Sequence, residues 1–228
     1  MSRLAWAAVG LHATQAVVML ALTVWIDSSR PSNAFNIYKT VHIWHSAHDI
    51  TAVVDNVGTF DGRWAIIAFF AMSAAFPAAI MLLDVDPRFR FAEYAFSAST
   101  MIMVIALQVG INDIYTLQAM FVLTFATMVF GILESWLAHV VGWITFLSAY
   151  SPILDAFALS TAQSPVSAPD FVPVIVVLEF ILFGCFGCVQ TYDLWSNNAY
   201  DVEPVYVILS LVAKTLLGWL VFSPLLMA

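Results

Sequence analysis

Seven apolar runs, each near twenty residues long, constrain this chain more than any other feature. They fall at about Leu4–Ile26, Trp64–Leu83, Phe91–Ile111, Ile114–Leu133, Trp136–Leu159, Phe171–Val189 and Val205–Met227. The hydrocarbon core of a bilayer is about 30 Å thick and takes roughly 20 helical residues to cross. It holds no water to bond exposed backbone groups, so a lipid-facing run has to satisfy its own N–H and C=O groups, as a helix does. The runs therefore predict seven transmembrane helices, with the two termini on opposite faces of the membrane. The composition, 62% hydrophobic and 10% charged over 228 residues, is that of a polytopic membrane protein, not a soluble domain. A net charge of −8 without a basic patch argues against a nucleic-acid partner.

Most connections are short, so consecutive helices are antiparallel neighbours and residues 1–228 form one all-α bundle without a second domain. No internal repeat is visible, which weakens the case for an inverted-repeat transporter. Arg3 precedes the first run and no small-residue cleavage pattern follows it, so that run reads as a retained helix. The exception among the connections is residues 27–63, where Tyr38-Lys39-Thr40-Val41-His42-Ile43-Trp44 alternates as a strand does. A small extramembrane β-hairpin is expected there. His42, His45 and His48 lie three apart, a spacing that gathers side chains on neither a helix nor a strand. They read as surface residues, not a metal site. Cys185 and Cys188 supply only half of a tetrahedral set and read as core packing. No metal site and no enzymatic constellation is expected. Basic residues divide evenly between the two sides, with Arg3, Arg88 and Arg90 on one and Arg30, Lys39 and Arg63 on the other, so charge does not set the orientation.

The chemistry lies in the ionisable groups inside the apolar runs. Lys214 sits near the middle of the last run with no other charge for ten residues on either side. An ammonium at mid-bilayer costs at least about 2.5–3.5 kcal/mol, so such a lysine is paired, deprotonated, chemically modified, or snorkels to the interface. Desolvation also makes it a nucleophilic amine able to form a Schiff base with an aldehyde. Glu93, expected about two turns into the third run, enters from the same side and is the natural partner for a cation at Lys214; Ser97 follows it at i+4 on the same face. Ser210, one turn before Lys214, and Glu203, eleven residues before it, share one face of the seventh helix. Glu203 also reads as an ordinary acidic helix start before Pro204. Glu179 stands in an unbroken apolar run, entering from the opposite side, either as a proton-relay group or as a neutral structural acid. His12, with Gln15 at i+3, marks an inward polar stripe, architectural or titrating. Trp143, Phe183 and Phe186 on the fifth and sixth helices are candidates to clamp a flat apolar ligand, or they are ordinary helix packing.

Three stretches carry a family resemblance. Arg90-Phe91-Ala92-Glu93-Tyr94-Ala95-Phe96-Ser97-Ala98-Ser99, Phe183-Gly184-Cys185-Phe186 and Tyr206-Val207-Ile208-Leu209-Ser210-Leu211-Val212-Ala213-Lys214-Thr215-Leu216-Leu217-Gly218-Trp219 closely resemble the heliorhodopsins, retinal-binding seven-helix proteins of inverted topology. The resemblance implies all-trans retinal bound covalently to Lys214, Glu93 as the counterion and Ser210 beside the Schiff base. It also implies a cytoplasmic N-terminus and a homodimer to which the long first loop contributes. Ordinary microbial rhodopsin pumps carry an aspartate four residues before the lysine and often a carboxylate eleven residues after the first; Ser210 and Val104 occupy those places here. The second-helix histidine common in the family is absent from Ala74-Ala75-Phe76-Pro77-Ala78, and Glu179 is an addition to the usual pattern.

The resemblance implies membership of a family made up mostly of non-transporting photosensors, some viral members of which pass protons in the light. The expected function is thus a light-gated proton-conducting channel, with Glu179, Glu203 and His12 along the proton path. The alternatives are a slow-cycling photosensor that transports nothing and signals to a partner the sequence does not name, and a retinal-free proton-coupled transporter.

Overall fold

The computed structural model describes residues 3–27, 34–46, 49–86, 89–164, 168–197, 199 and 201–227. Every apolar run in it is a helix: α1 (Arg3–Asp27), α2 (Gly62–Leu83), α3 (Arg90–Gln108), α4 (Ile114–Ile132), α5 (Trp136–Gln163), α6 (Phe171–Trp195) and α7 (Glu203–Met227). The polar residues between the runs start these helices. Asp61, Asp113 and Ser135 stand in extended conformation at the N-caps of α2, α4 and α5 and accept bonds from the backbone N–H groups of Arg63, Thr116 and Ala138. At the other end of α2, Asp84 takes the left-handed conformation (φ 51°) and its N–H closes on the Ile80 carbonyl.

All seven described helices are long and apolar enough to cross a membrane, and the protein is an integral membrane protein. α3 is the central one. Its spanning window is 72% buried, against 28–44% in the others, so whatever it carries faces protein. Exposed leucines and valines on the outer faces, such as Leu82, Leu137 and Val122, suit contact with lipid.

β1 (Phe35–Ser46) and β2 (Asp49–Phe60) pair antiparallel, with Val41 opposite Val53 and Trp44 opposite Ile50. The expected hairpin is present and is longer than the alternating heptapeptide alone. An isolated two-stranded hairpin is marginal in water, and this one is pinned to the bundle at its base. Ile37 is buried in the core, Tyr38 N–H donates to the Asn112 carbonyl at 2.9 Å, and Thr40 N–H donates to Asp113 Oδ1 at 3.4 Å. His42 and His45 are exposed on it, as expected of surface residues, while His48 lies outside the described residues.

Two boundaries differ from the hydropathy reading. α3 ends at Gln108, not Ile111, because Gly110 turns at φ 89° and Ile111 N–H folds back onto the Ala106 carbonyl. α6 runs past Val189 to Trp195, because Gln190, Thr191, Tyr192 and Asp193 are polar enough to look like a loop yet continue the helix where it leaves the apolar layer. Cys185 is half-buried and Cys188 is exposed on the outer face of α6, so only the former packs inward.

Candidate functional site

Side chains on a helix lean toward its N-terminus. α3 and α7 both start on the side of the bundle away from the hairpin, so the long stem of Lys214, three turns into α7, leans back toward the first turn of α3. Glu93 stands in that first turn, shallower than the two turns expected from hydropathy, and the lysine stem makes up the difference. Lys214 Nζ donates to Glu93 Oε1 at 2.8 Å. Both side chains are buried, at 4% and 1% exposure, so water screens the pair very little.

A third residue completes the contact. Ser73 of α2 accepts from Lys214 Nζ at 2.6 Å, and its hydroxyl lies 2.8 Å from Glu93 Oε1 and 2.7 Å from the Phe69 carbonyl. Four residues on, Pro77 has no N–H to offer the Ser73 carbonyl, so the helical bond that normally covers that oxygen is missing beside the pair. The Tyr94 ring centroid is 5.0 Å from Lys214 Nζ and supplies a π face to the cation.

Two cavities meet at the pair. The first is a chamber on the α3/α7 entry side in which His12, Ser73, Arg90, Glu93, Tyr94, Glu203 and Ser210 stand among apolar residues such as Val9, Pro77, Ile80 and Val207. Here Ser210 and Glu203 share a wall, as their spacing on α7 predicts. His12 is buried there with its Nδ1 unpartnered, and Gln15 on the same helix bonds Thr215 of α7 at 3.0 Å. Arg90 pairs with Glu203 at the outer end.

The second cavity is an apolar slot that begins at Lys214, Ser97, Ala98, Met101 and Ser210. Met128, Phe183 and Phe186 line it and also line a further cavity that runs on to Phe146, Trp143, Gly142 and His139. Met128, Phe183 and Phe186 thus form a shared wall between the lysine end and the seam of α5 and α6. Trp143 packs against α6 at Gly187, where a Cβ would come within 2.5 Å of the indole. Its Nε1 donates to His139 Nε2 at 3.1 Å, and that nitrogen also meets Thr191 Oγ1 at 2.8 Å. The Ser97 hydroxyl, fully buried at the lysine end, has no hydrogen-bond partner.

Glu179 is elsewhere. It is fully buried in α6 on the hairpin side of the bundle, and neither of its carboxyl oxygens has a hydrogen-bond partner. Neither cavity includes it. Among the described residues no group of three or more His, Cys, Asp or Glu is arranged to hold a metal.

The sequence reading missed Ser73, Arg90 and the His139–Thr191 contact. Ser73 was detectable as the one hydroxyl in the run Ile66 to Leu83, but a helical serine usually bonds its own i−4 carbonyl and then signifies nothing.

A model of the heliorhodopsin family matches residues 1–226. The chain belongs to the heliorhodopsin family. Solved structures similar to this heliorhodopsin include cyanorhodopsin from the cyanobacterium Tolypothrix sp. NIES-4075, at TM-score 0.71 and 13% identity, covering 98% of this chain and 95% of that one. A light-driven proton pump from Leptosphaeria maculans aligns at TM-score 0.60 and 10% identity, with the same coverage of 98% and 95%. At such identities the likeness is one of fold. No curated protein matches the chain. The rhodopsin family carries a retinal chromophore, and the slot suits one: it is narrow, walled by aromatic and thioether side chains, and closed at one end by a buried primary amine.

Proposed function

We propose that this heliorhodopsin binds all-trans retinal at Lys214 and, on illumination, conducts protons down their gradient. The observation that carries the reading is the buried Lys214–Glu93–Ser73 contact at the closed end of an apolar slot. Retinal, when bound through its aldehyde carbon to the amine, supplies visible absorption and a light-driven change of shape. The chain's residues do the rest. Glu93 balances the positive charge at Lys214 Nζ, Ser73 fixes the distance between them, and Ser210 and Tyr94 flank the amine. Ser97 offers its unpaired hydroxyl along the slot, and Trp143, Phe183 and Phe186 pack the polyene and exclude water.

Glu93, 2.8 Å from Lys214 Nζ, is positioned to take its proton, and the chamber beyond leads past His12 to Glu203. Glu179 offers a second carboxyl on the hairpin side, where an unpartnered acid inside a helix bundle is expensive as an anion and is for that reason a candidate for a proton path. Ser210 and Val104 stand where pumps keep carboxylates, which favours downhill conduction over pumping. We read the N-terminal side as cytoplasmic. The protein is read as a homodimer in which the exposed Trp44, Ile50 and Val54 of the hairpin contribute contact surface.

One observation favours a second reading, a photosensor that transports nothing: the Arg90–Glu203 pair stands at the outer end of the chamber, and Glu179 lines neither the chamber nor the slot. Photocurrent under voltage clamp, in retinal-supplied cells at two external pH values, separates the two. A reversal potential that follows the proton gradient supports conduction. A silent membrane together with an intact visible absorption band supports the sensor.

A further inference from the structure

Arg90 and Glu93 lie three residues apart in the first turn of α3 and line the same chamber. The Arg90 guanidinium pairs with Glu203 in the first turn of α7, and its central carbon lies 4.5 Å from the Tyr206 ring centroid and 5.2 Å from that of Phe91. Arg90 is 13% exposed and Glu203 32%, so the carboxylate stands at the chamber mouth and the guanidinium just inside it. Two aromatic faces and an ion pair hold the cation in place. A guanidinium keeps its proton at any physiological pH, so this charge is permanent, whatever happens at Lys214 and Glu93.

We propose that Arg90 is the specificity-determining residue of the conduction route, a fixed positive charge between Glu203 and Glu93 that turns back metal cations while protons pass. The inference rests on the conducting reading given above. A fixed arginine charge in a narrow passage is an electrostatic barrier to every cation that has to pass it, a hydrated proton included, so protons cross only by transfer between titratable groups on its two sides. Sodium or potassium moving inward from the mouth meets Glu203 first and would then have to pass the guanidinium with little water to screen it. A proton travels otherwise: Glu203 accepts it on one side of Arg90 and releases it toward Glu93 on the other along the hydroxyls of the chamber, and no cation has to displace the guanidinium.

The test is the photocurrent reversal potential at constant pH as external sodium is replaced by N-methyl-D-glucamine, in cells supplied with retinal. Wild type is expected to ignore the replacement. Arg90→Gln is expected to conduct sodium, its reversal potential moving to more negative values when sodium is withdrawn, while Arg90→Lys stays indifferent. Glu203→Gln, which removes the pairing partner and leaves the charge, is expected to carry less current and still exclude sodium. The visible absorption band reports that each variant is assembled. If Arg90→Gln does not assemble, Arg90→His takes its place and is expected to admit sodium at alkaline pH and exclude it at acid pH. The proposal is overturned if the reversal potential of the assembled Arg90→Gln or Arg90→His variant ignores sodium throughout, or if Glu203→Gln admits sodium as readily as Arg90→Gln. A wild type without photocurrent overturns the conducting reading itself, so the two failures are distinguishable.

Discussion

Removing one member of the Lys214–Glu93 pair should damage the protein far more than removing both. With the side chains 4% and 1% exposed, neither group can turn to water when its partner is lost, and Ser73 is the one remaining close polar contact of the amine. Breaking a buried pair typically costs about 3–5 kcal/mol. Ser73 already makes its bond in the intact protein and so recovers nothing new, and Glu93→Gln and Lys214→Met are each expected to cost about 3–5 kcal/mol. For a chain of this length 1 kcal/mol moves Tm by about 2–4 °C, so each single variant should melt roughly 6–20 °C below wild type. The double variant Lys214→Met/Glu93→Gln leaves no uncompensated charge and should return to within about 1 kcal/mol of wild type. Thermal unfolding of the retinal-free protein in detergent, followed by tryptophan fluorescence, measures all four proteins. If the double variant loses the sum of the two single losses, the residues do not act as a pair and the account of the site is wrong.

Three further perturbations test other parts. Glu179→Gln keeps the size of the side chain and removes its titrating proton, so photocurrent should vanish while the visible band keeps its position; undiminished current would remove Glu179 from the route. Gly187→Ala places a methyl 2.5 Å from the Trp143 ring, and overpacking of this kind costs about 1–3 kcal/mol; both Tm and the rate of retinal uptake should fall, and an unchanged uptake rate would place the polyene elsewhere. At Asp113, slight burial pushes the carboxyl up, but bonds from the Thr116 N–H and hydroxyl and from the Thr40 and Tyr115 N–H groups outweigh it and hold it below its ordinary value of 3.8. A lowered folded-state pKa stabilises above the unfolded value and is lost as pH falls through the folded one. Protection of the hairpin-base amides, taken relative to their intrinsic exchange rate at each pH, should therefore fall below about pH 4 in wild type and already at neutral pH in Asp113→Ala, with protection indifferent to both changes counting against the clasp.

Much of the fold was legible because a bilayer imposes one length and one backbone solution on each apolar run, and the breaks at Asp61, Asp113 and Ser135 coincide with caps. The helix ends were less legible where polarity and helicity part company, as at Gln190 to Trp195, since hydropathy marks where the apolar layer ends and not where hydrogen bonding does. Lys214 and Glu93 were found because a charge inside an apolar run demands a reason, and the same argument located Glu179 and His12. Ser73 and Pro77 escaped because each has an ordinary helical explanation, and their meaning depends on α2 lying against both α3 and α7. Arg90 was counted among the basic residues of one membrane face; its place between Tyr206, Phe91 and Glu203 is a property of three chain segments meeting.

The most direct test of the central claim is the absorption spectrum of the purified protein after addition of all-trans retinal, recorded beside Lys214→Ala. The account predicts a visible band in wild type that is absent from Lys214→Ala, while Lys214→Ala still melts as a folded helical protein. A visible band of equal strength in both, or in neither, would contradict the assignment of Lys214 as the retinal anchor.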